Sequence, residues 1–270
     1  EGGEGSEGGD GQTFTFNLLD GENYGIDSAN NSASITINPA DGGEEGEGGE
    51  AGGEAGGEAG GEEGEGGEAG QPTLNFGGSG DDVLEEVGTE ASALIFSGEG
   101  EDFISTSNSG NRFYGGNSAD ELEVIAGNEN RLFAGAGNDF IELSLSGEGN
   151  RAYAGDGDDI FSLGSSDRAF GGDGDDIFLM QGGDNLVTGG AGAEQFWVLT
   201  STELPDVANT ITDFNAEQGD VIGIGGGISS EQVSFEGDTL LVDGQDVAIF
   251  SGASGLTVSD NVVFGNPAIG

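Results

Sequence analysis

The 270-residue chain contains no Cys, no His and no Lys, and its only cationic side chains are four Arg. Without Cys there can be no disulfide, no thiol chemistry and no Cys/His zinc site. Without His the Ser-His-Asp triad and the two-His zinc-protease helix are excluded as well. Fifty-three Asp and Glu against four Arg leave a formal charge of −49. Nucleic acid and anionic membranes both select for a basic footprint, so neither is a default partner. No apolar run reaches the length of about 18 residues that membrane insertion requires. Apolar residues make up only 33% of the chain, and low hydrophobicity with high charge would by itself suggest disorder. The apolar residues are unevenly spread, however, and the average hides an ordered part. What the chain has in abundance is carboxylate and glycine, 59 Gly in all. Carboxylates in such number want cations, and hard, oxygen-loving ones such as Ca²⁺ suit them best.

Residues 1–11 (EGGEGSEGGDG) and 41–71 share one low-complexity composition, with three copies of Glu-Ala-Gly-Gly from Glu50 to Gly61. Such segments have nothing to bury and repel themselves, so both read as extended acidic linkers, disordered in isolation. A diffuse cation or mineral binder is the sharper alternative. The chain starts at Glu1 without an initiator Met, which points to a processed or excised product. Between the linkers, residues 12–40 read as strands. Thr13-Phe14-Thr15-Phe16 alternates, Asp20-Gly21 marks a turn, and Ala33, Ile35 and Ile37 share one face. This segment resembles the last hairpin of a Calx-beta-type or other immunoglobulin-like sandwich. Two or three strands alone are marginal, so a missing upstream part or another chain is expected to complete the sheet.

Residues 72–199 repeat. A Gly-rich loop ends in an acid at Asp82, Asp102, Asp120, Asp139, Asp159, Asp176 and Glu194, at spacings of 20, 18, 19, 20, 17 and 18. A period near 18 is twice the nonapeptide of calcium-binding parallel β-helices. One Gly-rich loop would be weak evidence, whereas seven in register are strong. The loops, such as Ala154-Gly-Asp-Gly-Asp-Asp159 and Gly171-Gly-Asp-Gly-Asp-Asp176, resemble those of the hemolysin-type, repeats-in-toxin (RTX) family, GGxGxDxUx with U apolar.

The resemblance implies an all-β protein built on a right-handed parallel β-roll, here about seven turns of 17–20 residues. It also implies Ca²⁺ between the loops of successive turns, held by loop backbone carbonyls and the terminal Asp. Carried onto this chain, the metal residues are Gly77, Ser79 and Asp82; Ser97, Glu99 and Asp102; Gly115, Asn117 and Asp120; Ala134, Ala136 and Asp139; Ala154, Asp156 and Asp159; and Gly171, Asp173 and Asp176. Five or six ions are expected, one per pair of adjacent loops. The best-formed sites should lie between the loops ending Asp139, Asp159 and Asp176. The weakest should flank Asp120, where Ser118-Ala119 replaces a Gly-containing step.

Each loop acid precedes a short strand with two inward positions: Leu84/Glu86, Ile104/Thr106, Leu122/Val124, Ile141/Leu143, Phe161/Leu163, Phe178/Met180 and Phe196/Val198. Six residues before each acid stand Phe76, Phe96, Tyr114, Phe133, Tyr153, Phe170 and Thr188, and this aromatic column is expected in the core. The repeat departs from the family pattern in that alternate half-turns lack the Gly-rich loop. There Arg112, Arg131, Arg151 and Arg168 each fall eight residues before a loop Asp, in the slot expected for a metal-binding Asp. They are expected to form a structural ladder that bonds loop carbonyls and pairs with Glu129, Glu148 and Asp167. Recognition of an acidic polysaccharide is the alternative, opposed by the overall charge.

Residues 200–270 read as a C-terminal β cap, with strands at 209–214, 220–224 and 256–264 and hairpin signals at Glu236-Gly-Asp and Asp243-Gly-Gln. The string ITDFNAEQGDVIGI resembles the end of RTX repeats in proteins exported by type I secretion, and Val262, Val263 and Phe264 after Asp260 fit such a signal. Two functions follow. The first is a secreted calcium-binding structural or adhesive protein of the cell surface, able to assemble with other copies of itself into fibres. The second is the export and folding tail of a secreted enzyme whose catalytic domain lies upstream. The chain itself carries no catalytic set, because its only general bases are carboxylates and every Asp cluster of the repeat sits in a metal loop.

Overall fold

The computed structural model describes residues 12–17, 32–37, 74–85, 93–199 and 204–267. The chain divides into two units, residues 1–64 and 65–270. In the first, strands Gln12–Asn17 and Ser32–Ile37 pair antiparallel, with Gln12 opposite Ile37 and Asn17 opposite Ser32. The expected turn at Asp20-Gly21 lies outside the described residues, as does Glu86.

The second unit is a parallel β-solenoid with two sheets, one of eleven strands and one of nine. From Leu74 to Val198 a long strand, a Gly-rich loop, a short strand and a second loop alternate, giving seven strand pairs and about six full turns. Long strands stack in one sheet, for example Arg112–Asn117 on Arg131–Ala136 on Arg151–Asp156 on Arg168–Asp173. Short strands stack in the other, Glu121–Val124 on Phe140–Leu143 on Ile160–Leu163 on Ile177–Met180. Alternating side chains and in-register pairing place every equivalent residue in a column, about 4.8 Å from the next.

The core lies between the sheets. The inward residues of the short strands are buried as expected: Ile104, Leu122, Val124, Ile141, Leu143, Phe161, Leu163, Phe178 and Phe196 are 0% exposed. Opposite them the structure corrects the sequence reading. The inward column of the long strands is Ile95, Phe113, Leu132, Ala152, Ala169 and Val187, all 0% exposed, seven residues before each loop acid rather than six. The aromatic column faces outward and is only half-buried from Phe96 to Phe170. Volume explains the arrangement. Within a turn, large Phe113 shares the core with Leu122, whereas small Ala152 and Ala169 share it with Phe161 and Phe178, all 0% exposed, so volume is balanced along the narrow interior.

Beyond Val198 the sheets continue into strands Asn209–Ile211 and Val221–Ile224, then close with the antiparallel strands Val233–Glu236, Thr239–Val242 and Gln245–Phe250. Phe214, Phe235 and Phe250 meet edge-to-face over the last turn and seal the core. Residues 256–264 are not one strand. Thr257 accepts the Asp260 N–H through its hydroxyl, and this cap starts the helical turn Val258–Asn261 before strand Val262–Phe264.

Candidate metal centre

The two loop edges of the solenoid are built from one device with two different side chains. On one edge the loop acids Asp102, Asp120, Asp139, Asp159 and Asp176 turn inward, and each accepts the backbone N–H of the preceding acid. The N–H of Asp82 goes to Asp102 Oδ1 (2.8 Å), Asp102 to Asp120 (2.9 Å), Asp120 to Asp139 (2.7 Å), Asp139 to Asp159 (2.8 Å) and Asp159 to Asp176 (2.9 Å). The N–H of Glu194 goes to Asp220 Oδ1, so the cap supplies the last rung. Asp213 also caps this edge, its two oxygens accepting the N–H groups of Gly189 and Gly190 at 2.9 Å.

The opposite edge carries the same ladder in Asn. The N–H of Ala93 bonds Asn111 Oδ1, Asn111 bonds Asn130, Asn130 bonds Asn150, Asn150 bonds Asp167, Asp167 bonds Asn185 and Asn185 bonds Asn209. These rungs are 0–1% exposed. The Asn therefore occupies the slot that the Arg was expected to fill. Arg112, Arg131, Arg151 and Arg168 stand one residue later, at the start of the long strands and pointing away from the core. Asp167 does not pair with Arg: its Oδ1 accepts both the N–H and the Nδ2–H of Asn150, at 3.1 and 3.2 Å. The signal was in the spacing. Asn111, Asn130, Asn150 and Asp167 each precede a loop Asp by nine residues, the nonapeptide period, whereas the Arg precede it by eight.

The edges differ in how the second side-chain atom is satisfied, except at Asp167, the one acid of the Asn ladder, whose Oδ2 is buried and unpartnered like those of the acidic edge. Asn Nδ2 donates into its own edge: Asn150 to Gly147 O (2.7 Å), Asn185 to Gly164 O (2.8 Å) and Asn209 to Gly182 O (3.0 Å). On the acidic edge the second oxygen finds nothing. Oδ2 of Asp102, Asp120, Asp139, Asp159 and Asp176 is buried without a hydrogen-bond partner, and so is Glu194 Oε1. A buried carboxylate oxygen with no partner is costly, and five in one column need a common explanation. Without a cation, burial pushes Asp120 and Asp176 up to about 7, Asp139 to about 6 and Asp159 to about 8, reinforced at Asp120 and Asp159 by neighbouring carboxylates. Burial also raises Glu194, with Asp220 beside it adding to the effect.

The loops fit a cation. A β-carbon at Gly115 or Gly171 would run into Oδ2 of Asp120 or Asp176, so glycine keeps the space beside the carboxylate open. Gly155 (φ +124°) and Gly157 (φ +137°) hold the positive φ that curls the loop. In three loops the N–H of the second such glycine donates to the next turn's carbonyl: Gly137 to Asp156 O, Gly157 to Asp173 O and Gly174 to Ala191 O, each at 2.8 Å. Each acceptor keeps a second lone pair for an ion.

Ser118 takes the glycine position in its loop at φ +82°. Positive φ in a residue with a β-carbon costs about 1 kcal/mol or more. Ser118→Gly is therefore expected to stabilise the roll by about 1 kcal/mol, seen as a higher chemical-denaturation midpoint in calcium. An unchanged or lower midpoint would show that this loop is not strained.

A family model, the RTX calcium-binding nonapeptide repeat (4 copies), matches residues 88–124 and 125–144. No curated protein and no solved structure matches the chain. The matched repeats lie within 72–199, and the same loop, acid and short strand recur beyond them to Val198. The nonapeptide match, the parallel solenoid around it and the acidic loop edge together support reading this chain as an RTX-type β-roll protein.

Proposed function

We propose that this chain is a secreted, calcium-gated structural and adhesive module of the cell surface, folding when it meets extracellular calcium. The observation that carries the reading is the column of five buried Asp Oδ2 atoms without partners on one loop edge, facing a second edge where Asn satisfies the same position from within the protein. An ion between successive loops would be held by the acids Asp82, Asp102, Asp120, Asp139, Asp159 and Asp176. The loop carbonyls of Gly77 and Ser79, Ser97 and Glu99, Gly115 and Asn117, Ala134 and Ala136, Ala154 and Asp156, and Gly171 and Asp173 would complete the shell. Oxygen-only ligands on a flexible Gly-rich loop suit Ca²⁺ over Mg²⁺, which demands tighter octahedral geometry. Bound Ca²⁺ supplies positive charge between carboxylates that otherwise repel.

Several features support work outside the cell. Sites of this type respond in the range of roughly 10⁻⁴–10⁻³ M typical of extracellular modules. The string at 211–224, which resembles the end of exported RTX repeats, ends in strand Val221–Ile224 of the roll, and Val262–Phe264, which fits an export signal, pairs with that strand. Equilibrium dialysis against ⁴⁵Ca²⁺ tests the site assignment. Five or six ions per chain are expected, one for each gap between consecutive loop acids from Asp82 to Glu194. One ion or none would overturn the assignment.

A further inference from the structure

The four cations of the chain stand in one row, and calcium binding makes no use of them. Arg112, Arg131, Arg151 and Arg168 lie in register on four successive strands, about 4.8 Å from one to the next. Among the described residues no hydrogen bond or ion pair engages any of their guanidiniums. Three of the four line one cavity of about 450 Å³, together with Glu129, Gly149 and Ser166. The cavity is periodic, because three consecutive turns each supply an Arg and the residue two places before it. Those preceding residues are left-handed, Glu129 at φ +58°, Gly149 at φ +79° and Ser166 at φ +62°. Between the two positions lies a buried rung of the second edge, Asn130, Asn150 or Asp167. Each Arg N–H is held by the rung one turn back: Arg131 by Asn111 O at 2.8 Å, Arg151 by Asn130 O and Arg168 by Asn150 O, both at 2.9 Å. The backbone beneath the three Arg is therefore fixed before any ligand arrives. Gly149 leaves the middle of the cavity open, since a β-carbon added there would meet only Glu129 Cγ, at 3.8 Å. Arg151 beside it is half-buried between two exposed neighbours.

We propose that this cavity binds a single tetrahedral oxyanion, a phosphate dianion either free or as a monoester. Charge and donor number select it. Three Arg against the one acid Glu129 leave the lining at +2, and the Ser166 hydroxyl is already turned to Asp184 Oδ2 at 3.0 Å. Three guanidinium forks offer more donors than the two oxygens of a carboxylate can use, whereas a phosphate presents an oxygen to each fork and carries the matching charge. The net charge of −49 opposes a polyanion, which would run off the row onto acidic loops. One ion seated among the Arg meets a different field, because exposed charges beyond about 8 Å are largely screened at physiological ionic strength. Arg112 stands in the row but outside the cavity, so it takes no part. The site belongs to the folded roll, and the inference therefore rests on the calcium reading.

Equilibrium dialysis of the full chain against tracer ³²P-labelled phosphate in millimolar calcium tests it, with circular dichroism recorded on the same samples. The wild type is expected to show one saturable site. Arg151→Gln should weaken it about tenfold, the worth of one charge-assisted hydrogen bond, and Arg131→Gln/Arg168→Gln should abolish it, each with the β signal unchanged. Arg112→Gln should bind as the wild type does. Methyl phosphate separates the two sources, and either result supports the site: displacement of the label admits a monoester, and displacement by inorganic phosphate alone confines the site to the free ion. A folded wild type without saturable binding overturns the proposal. An equal loss in Arg112→Gln does so too, because the row would then be a diffuse basic strip. Binding that survives Arg131→Gln/Arg168→Gln also overturns it, by placing the phosphate on bound calcium. Loss of the β response to calcium would instead contradict the calcium reading, a failure the dichroism separates from absence of the phosphate site.

Discussion

A roll in which Asp102, Asp120, Asp139, Asp159 and Asp176 are all replaced by Asn is expected to fold without calcium. The two edges of the solenoid already show the comparison. Each side chain keeps its Oδ1 for the N–H of the preceding rung, which Asn serves as well as Asp does. What changes is the second atom. On the Asn edge Nδ2 donates to a loop carbonyl, as Asn185 does to Gly164 at 2.8 Å, whereas on the acidic edge Oδ2 is buried and unpaired. Carboxylates one turn apart, about 4.8 Å, repel by roughly 3.5 kcal/mol per neighbouring pair at an effective dielectric of 20. Five acids in a column make four such pairs, about 14 kcal/mol before screening, as large as the 5–15 kcal/mol that typically holds a domain together. Removing the charge removes the penalty together with the ion site. In chelator, the five-fold variant should show the β signal that the wild type lacks, and its melting temperature should not respond to calcium. A variant unfolded with and without calcium would mean that these acids do more than hold ions.

The wild-type chain should depend on calcium, and the dependence should vary with pH in a defined direction. In the fold without a cation, burial raises Asp139 to about 6, Asp120 and Asp176 to about 7 and Asp159 to about 8, whereas an unfolded Asp titrates near 3.9. The folded form therefore binds more protons than the unfolded form between about pH 4 and pH 8. Stability of the calcium-free roll is then greatest below pH 4 and falls as pH rises through 6 to 8. Calcium acts on the ionised acids and competes with those protons. More calcium should be needed to fill the sites of the folded roll at pH 6 than at pH 8, while less should be needed to induce folding, and chelated protein should regain β signal as it is acidified toward pH 4. Asp167, also raised to about 7 by burial, adds to the acid-favoured direction from the other edge.

Much of this architecture was legible before any coordinates. Glycines at fixed offsets, an acid ending each loop and an apolar pair after it specify a solenoid with one coil per 17–20 residues, and the short-strand core from Ile104 to Val198 followed directly. Two features were misassigned for related reasons. Tyr114, Phe133, Tyr153 and Phe170 looked like core because aromatics usually bury, yet strand alternation puts Phe113, Leu132, Ala152 and Ala169 inside. Small inward Ala is recognisable only when paired with the Phe across the turn, a tertiary relation. The Arg were conspicuous as the chain's only cations and drew attention from the Asn before them. Only the nine-residue interval, matched to the buried ladder, shows that Asn111, Asn130 and Asn150 are the counterparts of the loop Asp. Which carboxylate oxygens lack partners could not be read from sequence, since it depends on the hydrogen bonds each rung makes to the next.

The central claim is that a column of buried acids makes this roll fold only around calcium. Far-UV circular dichroism of chelator-treated protein at pH 7.5, titrated with Ca²⁺ and separately with Mg²⁺, tests it most directly. The account predicts a cooperative gain of β signal at submillimolar to millimolar Ca²⁺ and little response to Mg²⁺ over the same range. A full β signal in chelator that calcium leaves unchanged would contradict it, as would an equal response to both ions.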